Sequence, residues 1–456
     1  MRIVVVGAGV VGFHLAERLS GEGHDIHIVD ADPVLVRRID ERLNVQAILG
    51  DASSPSVLKR ADAEGADLVI AVTNRDDTNI VVSLLARKLG AKKCVVRLRK
   101  TELSSKDSIL DPESIGASLV VNPVETTAEL LRRLINTPGS FDVAEFSEGD
   151  LLLWGFEISK ESPLDRLPLR DLRERYKAEL NGLIVAIARP NGELVIPRGD
   201  DELRTGDHIY VFIHRKATPE FRKLIHPEAD RVERVVISGA TQLGIEVARM
   251  IEGRIKSVVL VETEMEKAEI ASNCLTKTLV LHGQISDPDF VRENNIGDAD
   301  YFLGLDDDDQ QNLMNALLVK KLGVPCRVVK SQQQQYLPIL QSLDVGEVVN
   351  PRLITVSAIL RHIRKGRVTQ VSQVGESGAE AREYLVTKDA AVCGKAIRDM
   401  KVPSGALIGA VQHKDQVVIA QGDTVIEPGD HVVIFALPEA VEKVERLFTK
   451  RKVLRS

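Results

Sequence analysis

Arg2-Ile-Val-Val-Val-Gly7-Ala8-Gly9-Val10-Val11-Gly12 opens the chain, and the next apolar run, Asp25 to Asp30, ends in a carboxylate. The Ile and Val run before Gly7 has no polar alternation, so a strand here is buried on both faces, as in parallel sheets. Gly7 permits a tight turn, Gly9 lets backbone approach a pyrophosphate, and Gly12 lets the following helix pack close on the strand. That helix, expected over about Val10 to Gly21, aims its N-terminal amides at phosphate oxygens. Asp30 stands 18 residues beyond Gly12, where the ribose hydroxyls of an adenine nucleotide would lie. Its charge disfavours a 2′-phosphate, so the turn reads as one for NAD rather than NADP.

Strand and helix signals continue to alternate with short joins, the pattern of a parallel sheet covered on both faces. A third strand ends in Leu49-Gly50-Asp51, which brings Asp51 to the carboxyl edge where ligands sit. A fourth, Asp67 to Val72, delivers Thr73 and Asn74 to the same edge. Both can bond a ribose or adenine, and both can cap a helix expected over Asp77 to Leu89. A fifth, Lys93 to Leu98, carries Arg97, either a phosphate contact or a surface ion-pair residue. Val120-Val121-Asn122-Pro123 then runs into a helix over about Val124 to Ile135. Asn122 is its expected N-cap and Glu125 completes a capping box.

The same order of signals returns with an offset of 232 residues, Arg234 answering Arg2. The second turn reads Gly239-Ala240-Thr241-Gln242-Leu243-Gly244, and its next strand ends in Glu262. Asn79 to Gly90 matches Asn312 to Gly323, Arg97 falls on Lys330, and Val120 to Pro123 on Val348 to Pro351. Gly206-Asp207-His208 returns as Gly429-Asp430-His431. Anchors in constant order mark a duplication. Thr241 replaces the middle glycine and would crowd a pyrophosphate, and Asp306 to Asp309 adds negative charge. A second site that is weaker than the first, or that prefers another ligand, is therefore expected.

After each sheet the periodicity changes to short β-prone runs, first Leu151 to Ile158, Gly182 to Arg189, Glu193 to Pro197 and His208 to His214, with a helix over Leu172 to Glu179. The fold expected is α/β: two Rossmann-like parallel-sheet domains (1–136 and 231–365), each followed by a small α+β module (141–225 and 368–450). Hydrophobic content of 44% with 28% charged residues suits a globular protein of 456 residues. No signal-peptide pattern and no membrane-length apolar run appears. A net charge of −7 speaks against a nucleic-acid partner. Cys94, Cys274, Cys326 and Cys393 lack paired spacing and read as reduced core thiols of a cytosolic protein. The segment 450–456 is a basic tail. No nucleophile with a partner base, no Cys/His cluster and no carboxylate pair stands out. Neither catalytic nor metal-binding residues are expected, and an NAD-dependent oxidoreductase is the competing reading.

These residues resemble the TrkA family, cytosolic regulatory subunits of Trk potassium-uptake systems built from tandem KTN/RCK units. The motifs that carry the resemblance are Gly7-x-Gly9-x-x-Gly12 with Asp30, Gly50-Asp51-Ala52, Val121-Asn122-Pro123 and the two Gly-Asp-rich modules. The resemblance implies a homotetrameric ring on the cytosolic face of the membrane, docked to a potassium-translocating membrane subunit. It implies regulation by NAD(H) and by ATP or ADP. Carried over by position, first-site contacts would be Gly7, Ala8, Gly9, Val10, Val11, Asp30, Thr73, Asn74 and Arg97. Those of a second site would be Gly239, Ala240, Thr241, Gln242, Leu243 and Glu262.

Overall fold

A computed structural model describes residues 1–104, 110–137, 140–160, 162–176, 182–225, 232–333, 343, 345–363, 368–374, 378–414 and 416–448. The basic tail and residues 177–179 of the helix expected over Leu172 to Glu179 lie outside them.

Largely apolar runs build the first sheet. It comprises β1 (Arg2–Val6), β2 (Asp25–Asp30), β3 (Gln46–Leu49), β4 (Leu68–Ala71), β5 (Cys94–Arg97) and β6 (Leu119–Val121). Their order is β3-β2-β1-β4-β5-β6, with every neighbouring pair parallel. Ile3, Val4, Val5 and Val6 are all but sealed from solvent, as a strand covered on both faces must be. The order reverses between β1 and β4. Ligands in such sheets bind in the crevice at the carboxyl ends of the strands flanking that reversal.

The chain then enters an antiparallel sheet of β7 (Ser140–Phe146), β8 (Leu151–Glu157), β9 (Gly182–Ala188), β10 (Leu194–Val195) and β11 (His208–His214), ordered β10-β9-β11-β8-β7. β7 was not expected. Its register shifts between Ser140 and Asp142, so its inward residues do not keep the period of two by which a strand is recognised.

The second parallel sheet repeats the first. It is formed by β12 (Arg234–Ser238), β13 (Ser257–Glu262), β14 (Leu279–His282), β15 (Tyr301–Gly304), β16 (Cys326–Lys330) and β17 (Glu347–Val349). The order is β14-β13-β12-β15-β16-β17. β18 (Val368–Val374), β19 (Ala379–Leu385), β20 (Lys395–Ala396), β21 (Ala406–His413), β22 (Gln416–Ile419), β23 (Val425–Ile426) and β24 (His431–Ala436) follow, and a helix over Val441–Phe448 comes after them. Five of them form the sheet β18-β19-β24-β21-β22, and β20 pairs with β23.

The chain packs as two compact units, each drawing on both repeats. Met1–Arg132 with Glu233–His362 holds the two parallel sheets, and Arg133–Val232 with Ile363–Ser456 holds the two antiparallel ones. In the second unit Phe146 and Phe212 share a core with Phe435. Gly409 is bare where a Cβ would lie 2.1 Å from the Phe212 ring. The Ser147 amide donates to Glu383 at 3.0 Å, tying one antiparallel sheet to the other. The repeated Gly-Asp pair has a local structural cause: Asp207 accepts the Arg204 amide at 2.7 Å and Asp430 the Glu427 amide at 2.6 Å, closing the turn before each final strand.

The cysteines correct the expectation of uniformly buried thiols. Cys94 is buried, Cys326 and Cys393 are half-buried, and Cys274 is exposed at the end of the helix Met265–Cys274. Burial pushes the Cys94 thiol up to about 11. Among the described residues no helix is long and apolar enough to cross a membrane.

Candidate functional site

A cavity of about 1250 Å³ lies at the carboxyl edge of the first parallel sheet, within the unit that holds both parallel sheets. Gly7, Gly9, Val10 and Val11 border it from the first turn, and Asp30 and Asp51 from the ends of β2 and β3. Thr73, Asn74 and Arg97 border it from β4 and β5. Its far wall comes from the second repeat: Thr241, Gln242 and Leu243 with Lys330, Gln332 and Arg352.

The turn is fixed by backbone contact. Gly7 has φ +107°, and a Cβ there would meet the Thr73 amide nitrogen at 2.9 Å. Gly9 precedes the helix Val10–Gly21 and makes no side-chain cap, and a Cβ on it would meet nothing within 4 Å. The first amides of that helix thus have no side-chain cap to compete with a phosphate. Ala8 and Gly12 stand behind this face. The Ala8 amide donates to Asp30 Oδ2 at 2.6 Å, and the Asp32 amide to Asp30 Oδ1 at 2.9 Å. Asp30 is therefore aimed by the turn it serves, and it stays half-exposed on the cavity. The Ser53 amide and hydroxyl hold Asp51 below the usual carboxylate range.

Thr73 and Asn74 do not cap the next helix. It runs over Asp76–Lys88, with Arg75 as its N-cap residue. Thr73 instead answers to Asn79, which is wholly buried. Asn79 Oδ1 accepts the Thr73 amide at 3.0 Å and the Thr73 hydroxyl at 2.7 Å. Its Nδ2 donates to the carbonyls of Thr73 at 3.1 Å and Arg97 at 2.9 Å. One amide side chain thus joins the ends of β4 and β5. Asn312 repeats the arrangement on Asp306 and Lys330. The sequence carried the signal, a polar residue at the same place in both repeats, but not its role. Asn79→Ala strands buried backbone groups and is expected to destabilise the chain by about 2–4 kcal/mol in urea unfolding. A loss below about 1 kcal/mol would remove Asn79 as the link.

Arg97 is only partly satisfied by protein groups. Its Nη2 donates to the Thr73 carbonyl at 2.7 Å, while Nε is buried without a partner. Burial brings the guanidinium down to about 10, Arg99 and Arg352 push the same way, and Asp76 opposes them. It remains charged at neutral pH.

The second repeat keeps the framework and uses it up internally. Thr241 Oγ1 donates to the Leu305 carbonyl at 3.0 Å and accepts the Gly244 amide at 3.1 Å. Its side chain caps the helix Gln242–Ile251 and stands on the cavity wall, where Gly9 of the first repeat leaves open space. Glu262 is buried, with Oε2 on the Ala240 amide at 2.7 Å and Oε1 on the amides of Thr263 and Glu264. Lys330 pairs with Asp307 at 2.8 Å. Gly239, Ala240 and Glu262 are not among the residues lining the cavity. The acidic run Asp306 to Asp309 is a helix start: Asp308 caps Asp309–Lys321, and Asp309 accepts the Ser331 hydroxyl and the Gln332 amide. Among the described residues no group of three or more His, Cys, Asp or Glu is placed to hold a metal ion.

Asn122 caps the helix Pro123–Asn136 as expected, accepting the Val124 amide at 2.8 Å. Glu125 reaches the Asn122 side-chain amide at 3.4 Å and the Ser104 hydroxyl at 2.9 Å. Pro123, Val124 and Thr127 of this helix line the cavity.

Comparison with known proteins places this architecture. The TrkA-N domain family matches residues 3–123 and 235–351, and the TrkA-C domain family matches 155–226 and 381–449. A curated relative from Halomonas elongata, the Trk system potassium uptake protein TrkA, is 33% identical over 98% of both chains. Among solved structures, a GsuK RCK domain superposes with a TM-score of 0.62 at 16% identity, covering 98% of this chain and 94% of that one. A GsuK channel bound to NAD superposes with a TM-score of 0.61 at 16% identity, covering 98% of this chain and 78% of that one. At such identity these two likenesses establish the fold.

Proposed function

We propose a nucleotide-dependent regulatory role from one premise: the chain belongs to the TrkA family, whose TrkA-N and TrkA-C domains each match it twice. It acts as the cytosolic regulatory subunit of a Trk-type potassium-uptake system, on the inner face of the membrane. Its four segments 1–136, 141–225, 231–365 and 368–450 serve as domains, and four copies form the ring. Its relatives are named as potassium-uptake proteins and not as enzymes.

One observation carries the reading. A cavity floored by the uncapped first turn, the half-exposed Asp30 carboxylate and the under-bonded Arg97 is walled on its far side by the second repeat. A ligand there touches both parallel-sheet lobes at once. NAD(H), ATP and ADP share the adenosine half that Asp30 would hold, and they differ in the charge they extend toward Arg97. A ligand shifts a conformational equilibrium only by its differential affinity for the two states. The differing tails supply that difference, and the ring passes it to the potassium-translocating membrane subunit. The second turn, capped by Thr241 with Lys330 neutralised by Asp307, is the weaker site.

The test is potassium flux in liposomes holding a Trk-type membrane subunit, with the chain added alone and with ATP, ADP or NADH. Flux is expected to change with the chain and to differ among the three nucleotides. Identical flux under all of them, with the chain bound, would overturn nucleotide control.

A further inference from the structure

The two repeats differ at one cavity position in a way their shared framework does not require. After the repeated Asn-Pro pair the first repeat has Val124 and the second has Arg352, each at the start of its helix and each on the cavity wall. Arg352 is half-buried, and its Nη2 donates to Gln332 Oε1 at 2.9 Å. A neutral amide orients the guanidinium without cancelling its charge. The acids of the wall have protein partners: Asp307 holds Lys330, Asp77 holds Arg75 at 2.6 Å, and Asp51 is bound by Ser53. Arg97 faces the same space with a buried Nε that no protein group meets. The charges of Arg352 and Arg97 feel one another, since Arg352 helps to lower the ionisation range of Arg97. Like charges at one cavity favour an anion between them.

We propose that Arg352, reaching in from the second repeat, forms with Arg97 a subsite for the terminal phosphates of a nucleoside di- or triphosphate. This rests on reading the cavity as an adenine-nucleotide site, and it adds which nucleotides the site selects. A nucleoside monophosphate is too short to reach the second cation. A dinucleotide fills the same space with an uncharged ribose and a nicotinamide ring, which gain nothing from a guanidinium fork. Arg352 is thus a specificity residue, and a phosphate chain held by it bridges the two repeats.

The experiment is calorimetric titration of the full chain with ATP, ADP, AMP and NAD, with Asp30→Ala as the blank for the first site. The unmodified chain is expected to prefer ATP over AMP. Arg352→Gln is expected to reduce that preference by roughly tenfold or more, the worth of one charge-assisted contact, and to leave AMP and NAD binding in place. Arg352→Lys keeps the charge without the fork and is expected to recover part of the preference. Retained AMP binding also reports that the variant is folded. An unchanged ATP-to-AMP ratio in Arg352→Gln, or an equal loss for all four ligands, would overturn the subsite while leaving the nucleotide site standing. If the unmodified chain binds none of the four, the nucleotide site itself falls, and the subsite with it.

Discussion

Asp30→Ala is expected to weaken adenine-nucleotide binding by about a hundredfold or more. A hydrogen bond to a charged acceptor contributes about 1.5–3 kcal/mol, two ribose hydroxyls would share this one carboxylate, and each 1.4 kcal/mol is a factor of ten. The carboxylate also accepts the amides of Ala8 and Asp32, so its removal loosens the turn that faces the phosphates. Glu262→Ala separates the two contributions. Glu262 pins the second turn through the Ala240 amide, yet it is buried, bonded on both oxygens and off the cavity wall. That variant is expected to lose stability with little change in nucleotide affinity. Calorimetry on both, with thermal unfolding alongside, checks the contrast. Tight binding by Asp30→Ala, or its abolition in Glu262→Ala alone, would exchange the roles of the two turns.

Most of this framework could be read from residue order because the forces that set it are local or periodic. The unalternating run Ile3 to Val6 requires a strand buried on both faces. Gly7 and Gly12 require a tight turn with a helix packed hard against it, and the same anchors 232 residues on require a second copy. What stayed hidden depends on which chain segments meet. Asn79 looked like one polar residue in a helix, and only the closing of β4 on β5 gives it four bonds. Arg352 drew no notice in the sequence, and only the packing of the two parallel sheets in one unit brings it to the cavity at the first turn. The side chain of Thr241 was expected to obstruct a phosphate by bulk. Its hydroxyl also accepts the Gly244 amide, an effect of hydrogen-bond direction that spacing alone does not reveal. β7 escaped because a bulge broke its alternation.

The glycines of the first turn do separate jobs, and substitution should part them. A Cβ on Gly12 would lie 1.7 Å from the Gly7 carbonyl oxygen, and on Gly244 it would lie 2.1 Å from that of Gly239. Both obstacles are backbone, fixed by the sheet, so no side chain can swing aside. Gly12→Ala must push the helix Val10–Gly21 off β1, and it is expected to destabilise the chain by about 3–5 kcal/mol in urea unfolding. Gly9 faces open space and has φ −66° and ψ −172°, an extended conformation close to the φ −71° and ψ 167° of Thr241. Gly9→Thr copies the second repeat into the first. The new hydroxyl can cap the Gly12 amide as Thr241 caps that of Gly244, so stability is expected to hold within about 1 kcal/mol or rise. The new side chain fills the open space at Gly9 on the phosphate face, so nucleotide affinity is expected to fall by roughly tenfold or more. A folded Gly9→Thr chain that binds ATP and NAD as tightly as the parent would show that the phosphates do not sit on this turn. The weakness assigned to the second site would then need another cause than Thr241.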